Sequence, residues 1–537
     1  MGRLRGTVVG QDTAGGGQGE RPLEARVHAL ASTGQFRAPP DAVLKVGGGP
    51  PFFYTDGTFE LDLPPGPADI VLERGTEFRP LRQVVQVPRR GDLEVTFRLQ
   101  RWIDLPASGW HAGNTHIHYD QHEQRPDERL RLDPRVEDLS VAVISVLQRR
   151  ELAYASNRYR VGFARHLSHH SLAIDVGEET RHNRTPWEIG FGHVMLLGLR
   201  EVVPPLSRGI LVDDDDPDYP PLVDACDAAH AQGGLAIWCH NGNGMEAPVA
   251  AALGKLDAFN LFDPYWMDPE WDVWYALLNC GFTLPASTGS DWFVCSSNRV
   301  YVHTGSSSAT APADAADEAG LAGHSPAERH VQGAFSYPAW LEGLRAGRTF
   351  ITNGPALWLD VSGRPPGAAL EVTATGDLAV EVRWESELPL DRVEVVHNGS
   401  VVAREAWAEG RRAGGGVGGL KPAGRTGALR ARIPVSPADG HGWLAARCFG
   451  EARNSFGHFL WAHTSPVYLR ARSLSARPLP PGPAARAAGA HFLQEIDASL
   501  EWIRTAGRYR APEDRERVVD LFRQAREVYA PLGATDS

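Results

Sequence analysis

Apolar and polar residues alternate along the first hundred positions in short segments, among them 6–10, 24–30, 58–63 and 93–99, with Gly and Pro clusters between them. A period of two places one face of each segment in a core and the other in water, as in half-buried β-strands. Asp56-Gly57 and Pro65-Gly66-Pro67 supply turn chemistry between such segments. Residues 1–104 are therefore expected to form a small antiparallel β-sandwich.

From about Trp102 the pattern changes. Continuous apolar runs of strand length, at 140–146, 193–198 and 234–239, alternate with longer amphipathic segments, and 219–232 has helical spacing. Unbroken apolar runs suit parallel strands covered on both faces. Residues 105–354 thus read as an α/β region of the size a barrel needs. Within it, the Ser-, Ala- and Gly-rich stretch 304–323 reads as a lid or excursion. Four consecutive aspartates, 213–216, lack the spaced pattern of a calcium loop and read as a solvated turn.

After Thr352-Asn353-Gly354-Pro355 short alternating segments return at 358–361, 379–384, 392–396 and 443–448, and Asn398-Gly399 signals a hairpin between Val396 and Val401. Residues 355–472 read as a second β-sandwich. Its glycine run 414–419 is a loop tip and not a phosphate cradle, because no Lys-Ser/Thr ending and helix follow. Residues 473–537 read as a linker, Pro-rich at 478–483, and a helical tail. One tail helix is expected to bury Phe492, Ile496, Leu500 and Ile503, and another Val518, Leu521, Phe522, Ala525 and Val528. Such a tail packs on the body of the protein or on a second copy, so a homo-oligomer is among the expected partners.

A chain of 537 residues is too long for one core, and 42% hydrophobic with 22% charged residues is ordinary for a globular protein. The formal charge of -12, without basic blocks, argues against nucleic acid as a partner. No apolar run is long enough for a bilayer, so no membrane partner is expected. Five scattered cysteines, none in a Cys-x-x-Cys pair, suit reduced thiols. With no apolar signal core after Met1, they point to a cytoplasmic location.

The chemistry concentrates around Gly113-Asn114-Thr115-His116-Ile117-His118. On a strand, His116 and His118 share a face and aim at one point, which makes half a metal site. Further candidates stand at the ends of apolar runs: Gly177-Glu178-Glu179, Gly192-His193, His240-Asn241-Gly242 and Gly289-Ser290-Asp291. Each offers an imidazole or carboxylate beside a small residue that leaves room for an ion. Alone, any of them could be a structural histidine or a helix cap; together they point to a metal centre.

These motifs, followed by the run Leu344-Arg345-Ala346-Gly347-Arg348-Thr349-Phe350-Ile351-Thr352-Asn353-Gly354-Pro355, resemble in order the PHP (polymerase and histidinol phosphatase) superfamily over residues 105–355. Within it they are most similar to the CehA/McbA-like metallohydrolase branch, whose following β domain has a segment resembling His463-Thr464-Ser465-Pro466. The resemblance implies a multidomain α/β plus β chain: a distorted (β/α)7 barrel flanked by two β-sandwiches and the C-terminal helical tail. It makes His116, His118, Glu179, His193, His240 and Asp291 ligands of a divalent metal, Zn or Mn with Fe as a third option. Glu179 is preferred to Glu178 because the family pattern is Gly-x-Glu. Val146-Leu147-Gln148 stands where the family carries Asp-His, and Trp292 where Gly-Ser-Asp leads to a His. Asp120, His122 and Glu123 lie where an Asp is usual. One or two ions are therefore expected rather than three.

A divalent ion lowers the pKa of bound water from ~15.7 to about 7. The expected activity is hydrolysis of a small-molecule substrate by metal-bound hydroxide, with phosphoesters ahead of carboxylic esters or carbamates. His122 and His111 are candidate proton donors, and Arg299 and Arg348 candidate clamps for an anionic group. Tyr265, Trp266, Trp271, Trp274 and Trp292 are candidates for an aromatic pocket. A rival reading from another class is a non-catalytic glycan- or partner-binding protein with an eroded metal site.

Overall fold

A computed structural model of the chain describes residues 1–11, 22–44, 50–185, 187–262, 271–292, 297–305, 335–407, 424–472 and 481–533. The 304–323 excursion beyond Gly305, the 414–419 loop tip, residues 478–480 of the linker, Cys295, Tyr265 and Trp266 lie outside them.

The N-terminal unit is two facing sheets. Gly2–Gln11 is flanked by Thr58–Leu63 and Asp92–Gln100; the other layer orders Phe53–Thr55, Ala25–Leu30, Gly66–Glu73 and Leu81–Val87. Leu4, Val8, Val27, Ile70, Leu72 and Phe97 fill the space between. It is not purely antiparallel as expected, since Gly2–Gln11 runs parallel to Asp92–Gln100. Hairpin partners must oppose, but strands from the two ends of a unit are free to align either way. Buried charge joins this unit to the centre. Glu77 accepts from Arg101 Nη1 at 2.6 Å, Leu105 N at 3.1 Å and the Tyr301 hydroxyl at 2.9 Å.

The expected (β/α)7 barrel is overturned by the central region, which is built of strands rather than of repeated strand–helix units. Among the described residues only five α-helices lie between 105 and 354, the longest of 11 residues, and the strands belong to a 17-stranded mixed sheet. Trp110–Ile117, Val141–Val146 and Ala173–Thr185 do run parallel. Glu188–Leu197, however, begins after only two residues and returns antiparallel, too short a connection for a crossover helix. Leu235–Trp238 is antiparallel to it in turn, and Arg299–His303 is antiparallel to Trp110–Ile117. An apolar run records burial on both faces; it carries no information about strand direction.

The sheet does not stop at the 354/355 boundary. Thr349–Thr352 pairs with Phe459–Thr464, which carries it into the C-terminal sandwich, where Ala356–Val361, Gly376–Glu385 and Thr426–Val435 form the facing layer. Asn398 and Gly399 turn the Arg392–His397/Ser400–Ala406 hairpin with both residues at positive φ. The tail helices Pro483–Thr505 and Pro512–Gly533 pack on the central core through Phe492, Ile496, Phe522 and Tyr529. Val528, expected inside, is exposed, and Tyr529 takes the inward position, its hydroxyl donating to Pro248 O at 2.8 Å. Of the four described cysteines, all free, Cys226, Cys239 and Cys448 are buried. No helix among the described residues is long and apolar enough to cross a membrane.

Glu246 links stability to pH. It is fully buried, with its two oxygens accepting from Leu222 N at 3.0 Å and Val223 N at 2.8 Å at the start of Leu222–Ala231. Burial raises its carboxyl to about 7, against the partial relief of those two bonds. A folded-state pKa above the unfolded value stabilises fully below about 4.5, and that contribution disappears as pH climbs through about 7. Between pH 5 and pH 9 the wild-type Tm is expected to fall by roughly 2 °C more than that of Glu246→Gln, measured by calorimetry. Parallel curves for the two proteins would contradict this.

Candidate metal centre

Two chain segments are brought together by one side chain, Asn114. Its Oδ1 accepts from His116 N and Ser290 N, both at 3.2 Å, and its Nδ2 donates to Ser290 Oγ at 2.7 Å. That clamps Gly289-Ser290-Asp291 alongside the end of Trp110–Ile117, where His118 N donates to Asp291 O at 2.7 Å. Gly289 is required by this approach: a Cβ there would lie 2.4 Å from the Cβ of His116. Its small size makes room for the histidine, and not, as the sequence suggested, for an ion. Asp291 itself sits at φ 54°, and His240 at φ 53°. Left-handed backbone at non-glycine residues costs roughly 1–3 kcal/mol each and is tolerated where surrounding structure imposes it.

The six expected ligands converge. His118 Nε2 lies 2.9 Å from His116 Nε2, 3.0 Å from Glu179 Oε2 and 3.6 Å from Asp291 Oδ1. His193 Nδ1 lies 3.1 Å from Glu179 Oε1 and 2.9 Å from His240 Nε2, and His240 Nε2 is 3.3 Å from the same carboxylate oxygen. Glu179 thus turns one oxygen to His118 and the other to His193 and His240. Cys239 Sγ also lies within 4.8 Å of ligand atoms of His116 and Glu179. All are buried except His240, whose side chain keeps 11% of its exposure.

The hydrogen bonds on the far side of the rings decide what these contacts are. His118 Nδ1 is 2.9 Å from Ser145 O, an acceptor only, so Nδ1 carries the proton and Nε2 presents a lone pair. His193 Nε2 is 2.7 Å from Asn183 Oδ1, which leaves Nδ1 as the lone pair. Burial pushes His193 down to about 3 and His116 well below the ordinary imidazole value, so both rings are neutral. Burial would raise Glu179, but the neighbouring Arg181 charge leads the opposing effects and the carboxyl lies well below its usual range. The His193 lone pair therefore faces a carboxylate at 3.1 Å with no proton between them. Acceptor against acceptor in a buried site is stable only around a cation, and these groups can hold a divalent metal ion.

The remaining candidates are placed elsewhere. His122 is exposed, its N–H donating to Asp120 Oδ1 at 2.7 Å. Glu123 binds Arg129 at 3.1 Å, and so neither continues the ligand set. Arg299 is buried but engaged by Glu137, with Nη1 donating to its carbonyl at 2.6 Å. Arg348 donates to His303 O at 3.1 Å and lines a cavity with Trp110 and Trp358 at the edge of the C-terminal sandwich. His111 alternates to the opposite side of the strand from His116, beside Phe335. Trp271 stacks on Tyr275, and Trp274 is fully buried with its Nε1 donating to Leu284 O; both are core. Of the aromatic set, Trp292 lies at the site, 5.0 Å from the His118 ring and 5.3 Å from Tyr154.

Two residues at the site escaped the reading of the sequence. Arg181 and Asn183 follow Glu179 at intervals of two on Ala173–Thr185, and strand alternation gives all three one face. Arg181 pairs across the hairpin with His193, and its Nε lies 3.4 Å from Glu179 Oε2. The signal was present in the alternation, but it was legible only to a reader who knew that the strand continues past Glu179.

Replacing Asn183 by Leu removes the acceptor that fixes the His193 ring. Competition with a chromophoric chelator should show metal affinity reduced 10–100-fold at the His193 side of the centre. Unchanged affinity would mean that another group sets the tautomer. No family model, no curated protein and no solved structure matches this chain.

Proposed function

We propose that the chain is a metal-dependent hydrolase in which His116, His118, Glu179, His193, His240 and Asp291 would hold one or two divalent ions, Zn or Mn. The observation that carries this reading is the spread of one carboxylate over several imidazoles: Oε2 toward His118 and Oε1 toward His193 and His240, with His116 and Asp291 beside His118 and His116 also 3.9 Å from Oε1. The ordered motifs that resemble CehA/McbA-like metallohydrolases support it, as does the mixed imidazole and carboxylate donor set. Ions held there supply a water acidic enough to react near neutral pH and offset charge that develops on the substrate.

The chain's own groups prepare this chemistry. Ser145 O and Asn183 orient two rings so that their lone pairs point inward. The clamp by Asn114 places Asp291 against His116 at 3.4 Å. Trp292 and Tyr154 cover the His118 side and keep bulk water away from one flank. The reaction proposed is addition of water across an ester: its oxygen bonds to the reacting centre, the ester bond breaks, and the leaving oxygen gains a proton. Phosphoesters come first as substrates, with carboxylic esters and carbamates as the alternative.

Purified protein should contain bound Zn or Mn by elemental analysis and should turn over aryl phosphates or phosphodiesters, with loss on chelation. His116→Ala should lower metal content by at least one ion per chain and reduce turnover roughly 10³-fold or more, with an unchanged circular dichroism spectrum. Protein that binds no metal and ignores chelators would sink the hydrolase reading and leave the binding-module alternative.

A further inference from the structure

Arg208 and Arg299, buried like Arg181, both use their terminal nitrogens as donors. Arg208 donates to Thr180 Oγ1 at 3.1 Å and to the carbonyls of Arg181 and Pro205. Arg299 donates to the carbonyls of Ser297 and Glu137 and lies 3.3 Å from Glu137 Oε2. Arg181 is 7% exposed, yet its Nε and Nη1 are buried without a hydrogen-bond partner. Its recorded ionic contact is Glu179 Oε2 at 3.4 Å, an oxygen that already faces His118. Leaving guanidinium donors unmatched in a buried position is costly, and more so for a charged group than for a neutral one.

The position of that guanidinium says what would match it. Arg181 shares its strand face with Glu179 and stands opposite His193, so its charge acts on His116, on His193 and on the nearby Tyr154. Tyr154 contacts Trp292, which contacts His118. The unpartnered donors therefore stand at the same centre as Glu179 and His193. A planar guanidinium with two free N–H groups is complementary to a tetrahedral oxyanion, and far less so to the single neutral carbonyl oxygen of a carbamate or carboxylic ester.

We propose that Arg181 is the anion anchor of the centre and selects esters that carry an anionic oxygen on the reacting atom, the phosphoesters. This rests on the hydrolase reading above and narrows it. Arg181 donates to a non-bridging phosphoryl oxygen; that oxygen remains unprotonated, and the hydrolysis releases an alcohol or phenol and phosphate or a phosphomonoester. A neutral ester offers only its uncharged carbonyl oxygen, a weaker acceptor for this charge-assisted bond.

The test uses the full chain loaded with Zn or Mn, comparing wild type, Arg181→Lys and Arg181→Gln. Metal content is measured first, then inorganic phosphate binding by calorimetry. Kinetic constants follow for 4-nitrophenyl phosphate, bis(4-nitrophenyl) phosphate and 4-nitrophenyl acetate. Arg181→Gln is expected to keep its metal, to bind phosphate at least tenfold more weakly, and to lose at least tenfold more in kcat/KM on both phosphate esters than on the acetate. Arg181→Lys should recover part of the phosphate affinity, because it restores the charge without the fork. A monoester loss without a diester loss would also support the anchor and assign it to the dianion. Equal losses on phosphate and acetate, or a loss of metal with either, would overturn the proposal and make Arg181 a support for Glu179. Metal-loaded wild type that hydrolyses acetate alone and does not bind phosphate would overturn it while leaving the hydrolase reading intact. Wild type that takes up no metal fails both.

Discussion

A carboxylate that is 1% exposed and surrounded by imidazole lone pairs needs positive charge between the facing atoms. Glu179 is in that position, and much of the central region is arranged so that it cannot escape it. The rings of His118 and His193 are turned by Ser145 O and Asn183, so their protons lie on the outer nitrogens. Neither ring can relieve the contact by rotating its N–H inward without abandoning a bond of 2.9 Å or less. Arg181 supplies one nearby charge, but at 3.4 Å and from one side. A metal ion satisfies several lone pairs at once, which a single proton cannot do.

The fold answers a demand for precision with a hairpin rather than with loops. Glu179, Arg181 and Asn183 stand on Ala173–Thr185, and His193 faces them from Glu188–Leu197 in fixed register. Donors on adjacent strands of one sheet are held by the ladder itself, more tightly than donors on connections. The remaining residues of the cluster arrive at strand ends: His116 and His118 at the end of Trp110–Ile117, His240 just past Leu235–Trp238, Asp291 beyond Ala286–Ser287. His240 and Asp291 are also the two with left-handed backbone. Strain is concentrated where the chain must leave a strand and still aim a ligand back at the centre.

The charged contacts between units have a different character. Glu77, Arg101 and Tyr301 join the N-terminal sandwich to the centre, and Arg299 with Glu137 lies beneath the same junction. This explains why an arginine close to a motif in sequence is absent from the site. Buried ion pairs of this kind are weak as a source of net stability, yet breaking one by removing a partner is costly. Arg299 therefore reads as a structural member of the junction, and Arg348, bonded to His303 O, belongs to another cavity.

The linear pattern determined where strands lie, that two sandwich-like regions flank a central one and that the tail is helical, and it singled out six residues that the fold brings together, Glu179 and His193 within strands and the other four at strand ends. These are local properties: alternation, apolar runs and turn chemistry act over a few residues and need no partner. Strand direction, the continuity of the sheet through Thr349–Thr352 into the C-terminal sandwich, and the antiparallel hairpin that replaces an expected strand–helix unit were decided by pairing between distant segments. The same holds for the site. His122, Arg299 and Arg348 were attractive because they lie near motifs in sequence, and Arg181 and Asn183 were passed over, although all five carry suitable chemistry. Only tertiary structure decides whether an exposed turn, a buried junction or a ligand's own strand face receives each side chain, because that depends on which neighbours the folded chain sets around it.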